Sequence, residues 1–268
     1  MKRFAVTPFC LLGLAVALFF GLLIGPATAE EPAGTDFRVS SGIFRMGETK
    51  PASKILTVFS GGKVYDVMFN SDVVTIFDPK DGSFLLVDGG KKVQTVATKE
   101  FVDKAIERLV QEAADKKDPE NQFFFNPQFE STQKDTMTGD LLFRSPWLTY
   151  RVNGKQGAVQ AAKQYHQFAN AYARLNTILN PGSKPPFARM LVNKTLAKRT
   201  LLPKTILITY GKESDPKAER FRSEHRYEMG LSETDRKHIE LVKKSLEKLK
   251  VVPFEEYLKS LSNSSKKR

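Results

Sequence analysis

Alternating hydrophobic and polar positions run through the first half of the chain, in short segments that are separated by turn residues. Such alternation is typical of strands with one buried face. Gly61 and Gly62 separate two of the segments, and paired glycines accept the positive φ that a two-residue hairpin requires. The pattern predicts strands at residues 37–46, 54–60, 63–69, 73–77, 83–87 and 93–97.

The turns between these strands are too short for parallel pairing, which needs a crossover of about a dozen residues or more. The strands therefore predict an antiparallel meander. Apolar residues at helical spacing then run from Thr98, a favourable N-cap residue, to Ala114. This predicted helix can cover one face of the sheet.

The second half of the chain contains longer amphipathic segments. They predict helices at residues 157–180, 187–198, 232–250 and 253–261, with Ser232 and Asp235 as a capping box. Further strands are predicted at residues 140–143, 147–152, 205–210 and 220–227, and Asn153 with Gly154 is expected to end the second of them. The predicted fold class is α+β: an antiparallel β meander, as a curved sheet or half-barrel, packed against several amphipathic helices.

We expect a single α+β domain over residues 37–261. Its first section, residues 37–152, is β-rich, and its second section, residues 153–261, is helical and basic. A flexible leader at residues 30–36 precedes the domain, and a basic tail at residues 262–268 follows it.

Charge is distributed unevenly in a chain whose formal net charge is +12. Residues 30–150 carry 15 basic and 19 acidic side chains, whereas residues 151–268 carry 25 basic and 11 acidic ones. An anionic membrane surface would attract the second section, although solvated lysines and arginines explain the same composition equally well. The candidate anion-binding residues are Arg220, Arg222 and Arg226.

The first 29 residues have the pattern of a secretory signal peptide. Lys2 and Arg3 precede an apolar run at residues 9–25, and Ala27, Thr28 and Ala29 form an Ala-x-Ala cleavage site. An uncleaved N-terminal membrane anchor is the alternative interpretation. Cleavage would export the protein to the periplasm or cell surface, where nucleic acid is not an expected partner.

No motif in the sequence points to catalysis. His166, His225 and His238 lack the spacing of metal ligands, and the single cysteine, Cys10, lies within the predicted signal. The Gly-x-Ser-x-Gly nucleophile turn and the glycine-rich phosphate loops are missing too. We therefore expect no cofactor, no metal and a non-enzymatic role.

Aromatic residues form the candidate ligand pocket. They crowd together between positions 123 and 129 and recur at helical spacing along residues 157–180. Core packing is the ordinary role of such residues. An apolar binding pocket is the functional alternative. The candidate residues that would line it are Phe123, Phe125, Trp147, Tyr165, Phe168 and Tyr172.

Two resemblances bear on function. The chain resembles an uncharacterised exported protein family of planctomycete-type bacteria in three stretches: FRVSSGIFRMGETKPASKILTVFSGGKVYDVMFNSDVVTIFDPKDGSFLLVD, FANAYARLNTILNPGSKPPFARMLVN and SEHRYEMGLSETDRKHIE. More remotely, its predicted architecture is similar to that of the bacterial outer-membrane lipoprotein carrier superfamily. That similarity implies an open half-barrel that holds acyl chains against helices.

These observations favour an exported envelope protein that binds a hydrophobic or amphiphilic component, such as a lipid or a lipoprotein acyl chain. Two alternatives belong to other classes of protein. One is a hydrolase of an envelope polymer, and the other is a non-catalytic structural or interaction protein of the cell surface.

The predicted signal has a direct test. We expect the protein isolated from its host envelope to begin at Glu30, because signal peptidase cleaves after an Ala-x-Ala site that follows an apolar run. N-terminal sequencing or intact mass checks this. A chain that retains Met1 would instead support the membrane anchor.

Overall fold

The structure is a computed structural model that describes residues 34–115, 117–135 and 137–265. These residues form twelve strands and six helices. The strands are β1 (Phe37–Arg45), β2 (Ser53–Ser60), β3 (Lys63–Met68), β4 (Val73–Asp78), β5 (Ser83–Asp88), β6 (Val93–Ala97), β7 (Ser131–Lys134), β8 (Leu141–Arg144), β9 (Leu148–Gln156), β10 (Leu201–Tyr210), β11 (Glu219–Met229) and β12 (Lys250–Val251). The helices are α1 (Lys99–Ala114), α2 (Pro119–Phe125), α3 (Val159–Leu179), α4 (Phe187–Lys198), α5 (Glu233–Leu246) and α6 (Phe254–Ser265).

All twelve strands lie in one open sheet, in the order β12-β6-β5-β4-β3-β2-β1-β11-β10-β9-β8-β7. The consecutive pairs from β1 to β6 are antiparallel, as the short turns predict. The short β12 pairs with β6 in the parallel direction at one edge. The predicted α+β fold with an antiparallel meander is therefore confirmed.

Two meanders meet at the pairing of β1 with β11. The first meander runs from β1 to β6, and the second from β7 to β11. Nine consecutive residue pairs join them, from Phe37 opposite Met229 to Arg45 opposite Phe221. The basic second section of the chain is thus part of the same sheet as the first.

The sheet has an inner face, which carries α1, α3, α4 and α6, and an outer face, which carries α5. On the inner face, one core cluster joins the first meander to α1, α3 and α6, with Phe59, Phe84 and Leu175 fully buried. A second cluster joins β8, β9 and β10 to α2 and α4 around Phe143 and Val192. The amphipathic helices are therefore distributed over both faces, mostly the inner one.

On the outer face, α5 packs over strands β2 to β5. Ile239 and Val242 of α5 contact Val58, Tyr65 and other side chains of those strands that alternate with the inner-face residues. The predicted capping box starts the helix: the Asp235 backbone N–H donates to Ser232 Oγ at 3.1 Å, and the Ser232 backbone N–H donates to Asp235 Oδ2 at 2.8 Å.

The N-terminus of α5 is also tied to the junction of the two meanders. Arg38 of β1 lies 2.6 Å from Glu228 Oε2 on β11 and 3.1 Å from Asp235 Oδ1 on α5. The three charged side chains thus connect both meanders to the outer helix.

Asn153 and Gly154 do not end a strand, contrary to the sequence prediction. β9 continues to Gln156 because Gly154 pairs with Pro203 of β10, next to a β-bulge. A Cβ at Gly154 would lie 3.4 Å from Leu201 Cβ. That distance is an ordinary van der Waals contact, so Gly154 is a regular strand position rather than part of a turn.

The helix predicted at residues 232–250 ends earlier, at Leu246. The side-chain amide of Gln94 on β6 donates to the carbonyls of Leu246 and Leu249, and the Lys250 N–H donates to the Lys92 carbonyl. These hydrogen bonds to the sheet edge replace a continuation of the helix, and Lys250–Val251 form the short strand β12 instead.

Two more elements were missed, and one helix was predicted too short. α2 begins at Pro119 with Asp118 as its N-cap, a proline-at-N1 signal that the surrounding charges obscured. The four-residue β7 has too few positions for a visible alternation. α6 extends to Ser265, into the segment predicted as tail.

The predicted signal peptide, most of the leader and residues 266–268 lie outside the described residues. Within the part of the chain that the structure describes, no helix combines the length and the apolarity needed to span a membrane.

The hairpin between β2 and β3 gives a stability prediction. Gly61 and Gly62 have φ of +57° and +78°, as predicted, and no other residue approaches a Cβ built on either. Gly62→Val should lower the free energy of unfolding by about 1 kcal/mol or more, because a β-branched residue is strained at positive φ. Chemical denaturation checks this.

Gly62→Asn is the matched control, since asparagine tolerates the left-handed region and should cost less than valine. Equal stability of the valine variant and the parent would contradict the hairpin argument.

Candidate functional site

A cavity of about 460 Å³ lies between the inner face of the sheet and helices α3 and α4. Its floor comes from β1, β2, β3, β9, β10 and β11, and its sides come from α3, the α3–α4 connection and the first turn of α4. Lys184 in that connection is the exposed residue of the lining, so the cavity opens to solvent there.

The wall of the cavity is mainly apolar and is incompletely covered. Ile43, Ile55, Met68, Ile208 and Phe221 lie on the inner face of the central strands and remain partly exposed to the cavity. Helices cover the flanks of the inner face, where the residues are fully buried. The apolar surface between those flanks can receive an apolar group.

A buried carboxyl group, that of Asp66 on β3, lies in the floor. Thr57 of the neighbouring β2 donates its hydroxyl to Asp66 Oδ1 at 2.6 Å. Burial raises the pKa of Asp66 to about 6, although the hydrogen bond from Thr57 acts in the opposite direction. The carboxyl therefore titrates closer to neutral pH than an exposed aspartate does.

A histidine in the floor is held neutral. His225 Nδ1 lies 2.8 Å from the Ser41 hydroxyl on the paired strand, and its Nε2 lies 3.1 Å from the Ser223 hydroxyl. Burial lowers the pKa of His225 to about 3, and the charge of Arg189 lowers it further. The ring thus serves as an uncharged hydrogen-bonding group.

The first turn of α4 brings a cation to the cavity. Arg189 lines it together with Ala188, Pro185 and Pro186. Among the residues that the structure describes, no carboxylate lies within ion-pair distance of Arg189. Its side chain hydrogen-bonds the side chain of Tyr165. Its positive charge acts to lower the pKa of tyrosines and histidines from several elements: Tyr150, Tyr165, His166, Tyr210, His225 and Tyr227.

Three of the six aromatic residues predicted to line a pocket do so. Tyr165, Phe168 and Tyr172 on α3 line the cavity, and the rings of Phe168 and Tyr172 lie 5.4 Å apart. Tyr165 and Phe168 also belong to the core cluster on the inner face. The core role and the pocket role of the α3 aromatic residues therefore coexist.

The other three residues lie elsewhere. Phe123 and Trp147 contact each other in the second core cluster, with ring centroids 5.4 Å apart, and Phe125 lies 6.0 Å from Phe187. None of the three lines the cavity. Phe124, which belongs to the same aromatic segment at positions 123–129, does line it. The short helix α2 turns Phe124, rather than its two neighbours, toward the cavity.

Arg220, Arg222 and Arg226 share one face of β11, the outer face, because they occupy alternate positions of a strand that pairs regularly with β1. Acidic residues alternate with them there. Arg222 and Arg226 lie 3.1 Å and 3.3 Å from Glu224 and Glu228, and Arg222 also covers the ring of Phe44.

Arg220 donates to the backbone carbonyls of Glu213 and Asp215 at 2.8 Å. Arg226 is the most exposed of the three, with 82% of its side chain accessible. Each of the three guanidinium groups thus has acceptors in the fold, and of the three residues Arg222 also borders the cavity.

Sequence reasoning missed the polar residues of the cavity: Asp66, His225 and Arg189. Asp66 is the one acidic residue of the strand KVYDVM, and apolar or aromatic residues flank it on both sides, which is a usable signal for a buried carboxyl. Arg189 lies in a helix that the sequence does predict, but the pattern does not reveal which side of that helix faces the sheet.

Within the described residues, no cluster of three or more histidine, cysteine, aspartate or glutamate side chains could hold a metal ion. Comparison of the chain with protein-family models and with curated proteins gives no match.

The buried carboxyl gives a pH-dependent prediction. The pKa of Asp66 is higher in the fold, about 6, than in an unfolded chain, about 3.9, so its ionisation costs stability as pH rises from about 4 to above 6. Asp66→Asn should therefore be more stable than the parent by on the order of 2 kcal/mol at pH 8, and about equally stable at pH 4.

Urea denaturation at the two pH values checks this. The same substitution at the exposed Asp115 controls for the change in net charge. A gain of equal size at pH 4 and pH 8 would show that the effect does not come from ionisation of Asp66.

Proposed function

We propose that this protein binds a hydrophobic or amphiphilic component of the cell envelope, such as a lipid or a lipoprotein acyl chain, in the cavity between the sheet and helices α3 and α4. The observation that carries the proposal is the apolar, partly exposed inner face of the central strands. Soluble domains ordinarily bury such a surface, and a concave apolar surface that stays open is characteristic of a ligand site.

The size and chemistry of the cavity support the same proposal. Its volume of about 460 Å³ lies within the range of roughly 300–1,000 Å³ that is usual for small-ligand sites. Isolated polar groups, including Asp66, His225 and Arg189, interrupt the apolar wall. An amphiphile has both kinds of surface and so matches this lining better than a fully apolar molecule does.

The proposal agrees with the remote architectural similarity to the lipoprotein carriers, which implies an open antiparallel sheet with helices on its inner face. Export and an anionic membrane surface as partner belong to the proposal as well. Export rests on the pattern of the first 29 residues, and membrane attraction rests on the positive charge of residues 151–268.

The contact between Ser41 and His225 raises the possibility of hydrolysis, since a serine beside a histidine can form a nucleophile and base. Two features make it a poor pair. A histidine whose pKa is about 3 is a weak base at neutral pH. Its second nitrogen faces Ser223 rather than a carboxylate that could stabilise the imidazolium. Binding is therefore favoured over hydrolysis.

A cavity-filling variant tests the proposed function. Ala173 on α3 lines the cavity, so Ala173→Trp should occupy the space of a bound chain and abolish binding of a fluorescent fatty-acid probe. Ala197→Trp on the exposed side of α4 is the matched control and should leave probe binding unchanged. Fluorescence titration measures both, and circular dichroism checks that both variants are folded.

Native mass spectrometry of the protein from its own envelope identifies the natural occupant. A bound lipid mass in the parent and none in Ala173→Trp is the expected result. Probe binding that survives in a folded Ala173→Trp variant would place the site elsewhere, and no probe binding by the parent would overturn the proposal.

A further inference from the structure

The cavity contains a cation that the fold does not neutralise. Arg189 lines its wall, is partly buried, and has no carboxylate within ion-pair distance in the part of the chain that the structure describes. Its side chain hydrogen-bonds the neutral side chain of Tyr165, which does not balance the charge. A partly buried charge without an ion pair is unfavourable, because it loses hydration and gains no opposite charge in return. Tyr165 and His225, which line the same cavity, are neutral polar groups.

The first turn of α4 reinforces this positive site. Pro186, the residue before the helix, provides no side-chain cap, and the first turn carries no acidic residue. The first backbone N–H groups of a helix lack intrahelical partners and favour a negative group. Pro185, Pro186 and Ala188 border the same cavity as Arg189.

We infer that the ligand is a single-chain amphiphile with a carboxylate headgroup, such as a long-chain fatty acid, and that Arg189 binds this carboxylate. The inference rests on the proposed function and specifies its ligand class. A guanidinium group presents paired N–H donors that match the two oxygens of a carboxylate. The chain then lies against the apolar wall.

The charges in the cavity favour a carboxylate over a phosphate. One cation balances the single negative charge of a carboxylate, whereas a phosphate monoester carries close to two charges near neutral pH. The other cations of the lining already have carboxylate partners: Lys184 lies 2.8 Å from Glu120 Oε1, and Arg222 lies 3.1 Å from Glu224 Oε1. Asp66 in the floor also disfavours additional negative charge.

The size of the cavity favours one chain. About 460 Å³ lies toward the lower end of the usual range for small-ligand sites, which suits a single-chain amphiphile better than a two-chain phospholipid. The opening beside Lys184 gives such a molecule a route to the first turn of α4.

Headgroup comparison on the unmodified protein is the first test. Isothermal titration at pH 8 measures the affinity for laurate, for lauryl alcohol and for lauryl phosphate, which share one chain. Laurate should bind about tenfold or more tightly than the alcohol, as expected for a charge-assisted hydrogen bond. Tighter binding of the phosphate would overturn the carboxylate assignment.

Variants at Arg189 form the second test. Arg189→Gln should reduce laurate affinity about tenfold or more while leaving alcohol affinity nearly unchanged, and Arg189→Lys should retain part of the preference. Arg199→Gln, which removes an exposed arginine at the end of the same helix, should bind both ligands like the parent. Laurate affinity that is unchanged in Arg189→Gln would overturn the inference.

The outcomes separate this inference from the proposed function. Equal affinity of the parent for laurate and lauryl alcohol would leave an apolar-ligand site and remove the role of Arg189. Failure of the parent to bind any of the three would overturn both. The headgroup comparison uses no variant, so it decides the question even if Arg189→Gln does not fold.

Discussion

The antiparallel pairing of β1 with β11 is the interaction on which the rest of the structure depends. It joins residues that lie far apart in the chain, such as Phe37 and Met229, and continues over nine residue pairs. Without it, the chain would form two separate meanders, each with an open edge. With it, one sheet holds helices of both halves of the chain over the same inner face.

The same pairing also places the polar groups of the cavity floor. Ser41 lies opposite His225 in the register, which brings the hydroxyl to 2.8 Å from the imidazole. On the outer face, Arg38 reaches Glu228 on β11 and Asp235 at the start of α5. A shift of one residue would move each of these side chains to the opposite face. The register is therefore fixed from both sides of the sheet.

The cavity results from incomplete cover of a large sheet. Helices α1 and α6 cover one flank of the inner face and α2 and α4 the other, while α3 crosses between them. The central strands keep an apolar surface that ordinary core packing would have buried. Burial raises the pKa of Asp66, and Arg189 is partly buried without a carboxylate within ion-pair distance in the described part of the chain. Such costs are commonly retained at functional sites. A fatty-acid carboxylate at Arg189 would offset one of them.

The sequence by itself determined most of the local structure. Alternation, paired glycines and capping residues such as Thr98 and Ser232 act within a few positions of the chain, so their effects are readable without knowledge of the fold. It also identified Tyr165, Phe168 and Tyr172 as candidates for a pocket.

Only the tertiary structure decided what depends on distant partners. The extension of β9 past Gly154, the end of α5 at Leu246 and the placement of Arg220, Arg222 and Arg226 beside carboxylates or carbonyls on the outer face are of this kind. Arg189 faces the cavity because α4 packs against α3 and β10, and a periodic pattern specifies a helix without specifying its neighbours.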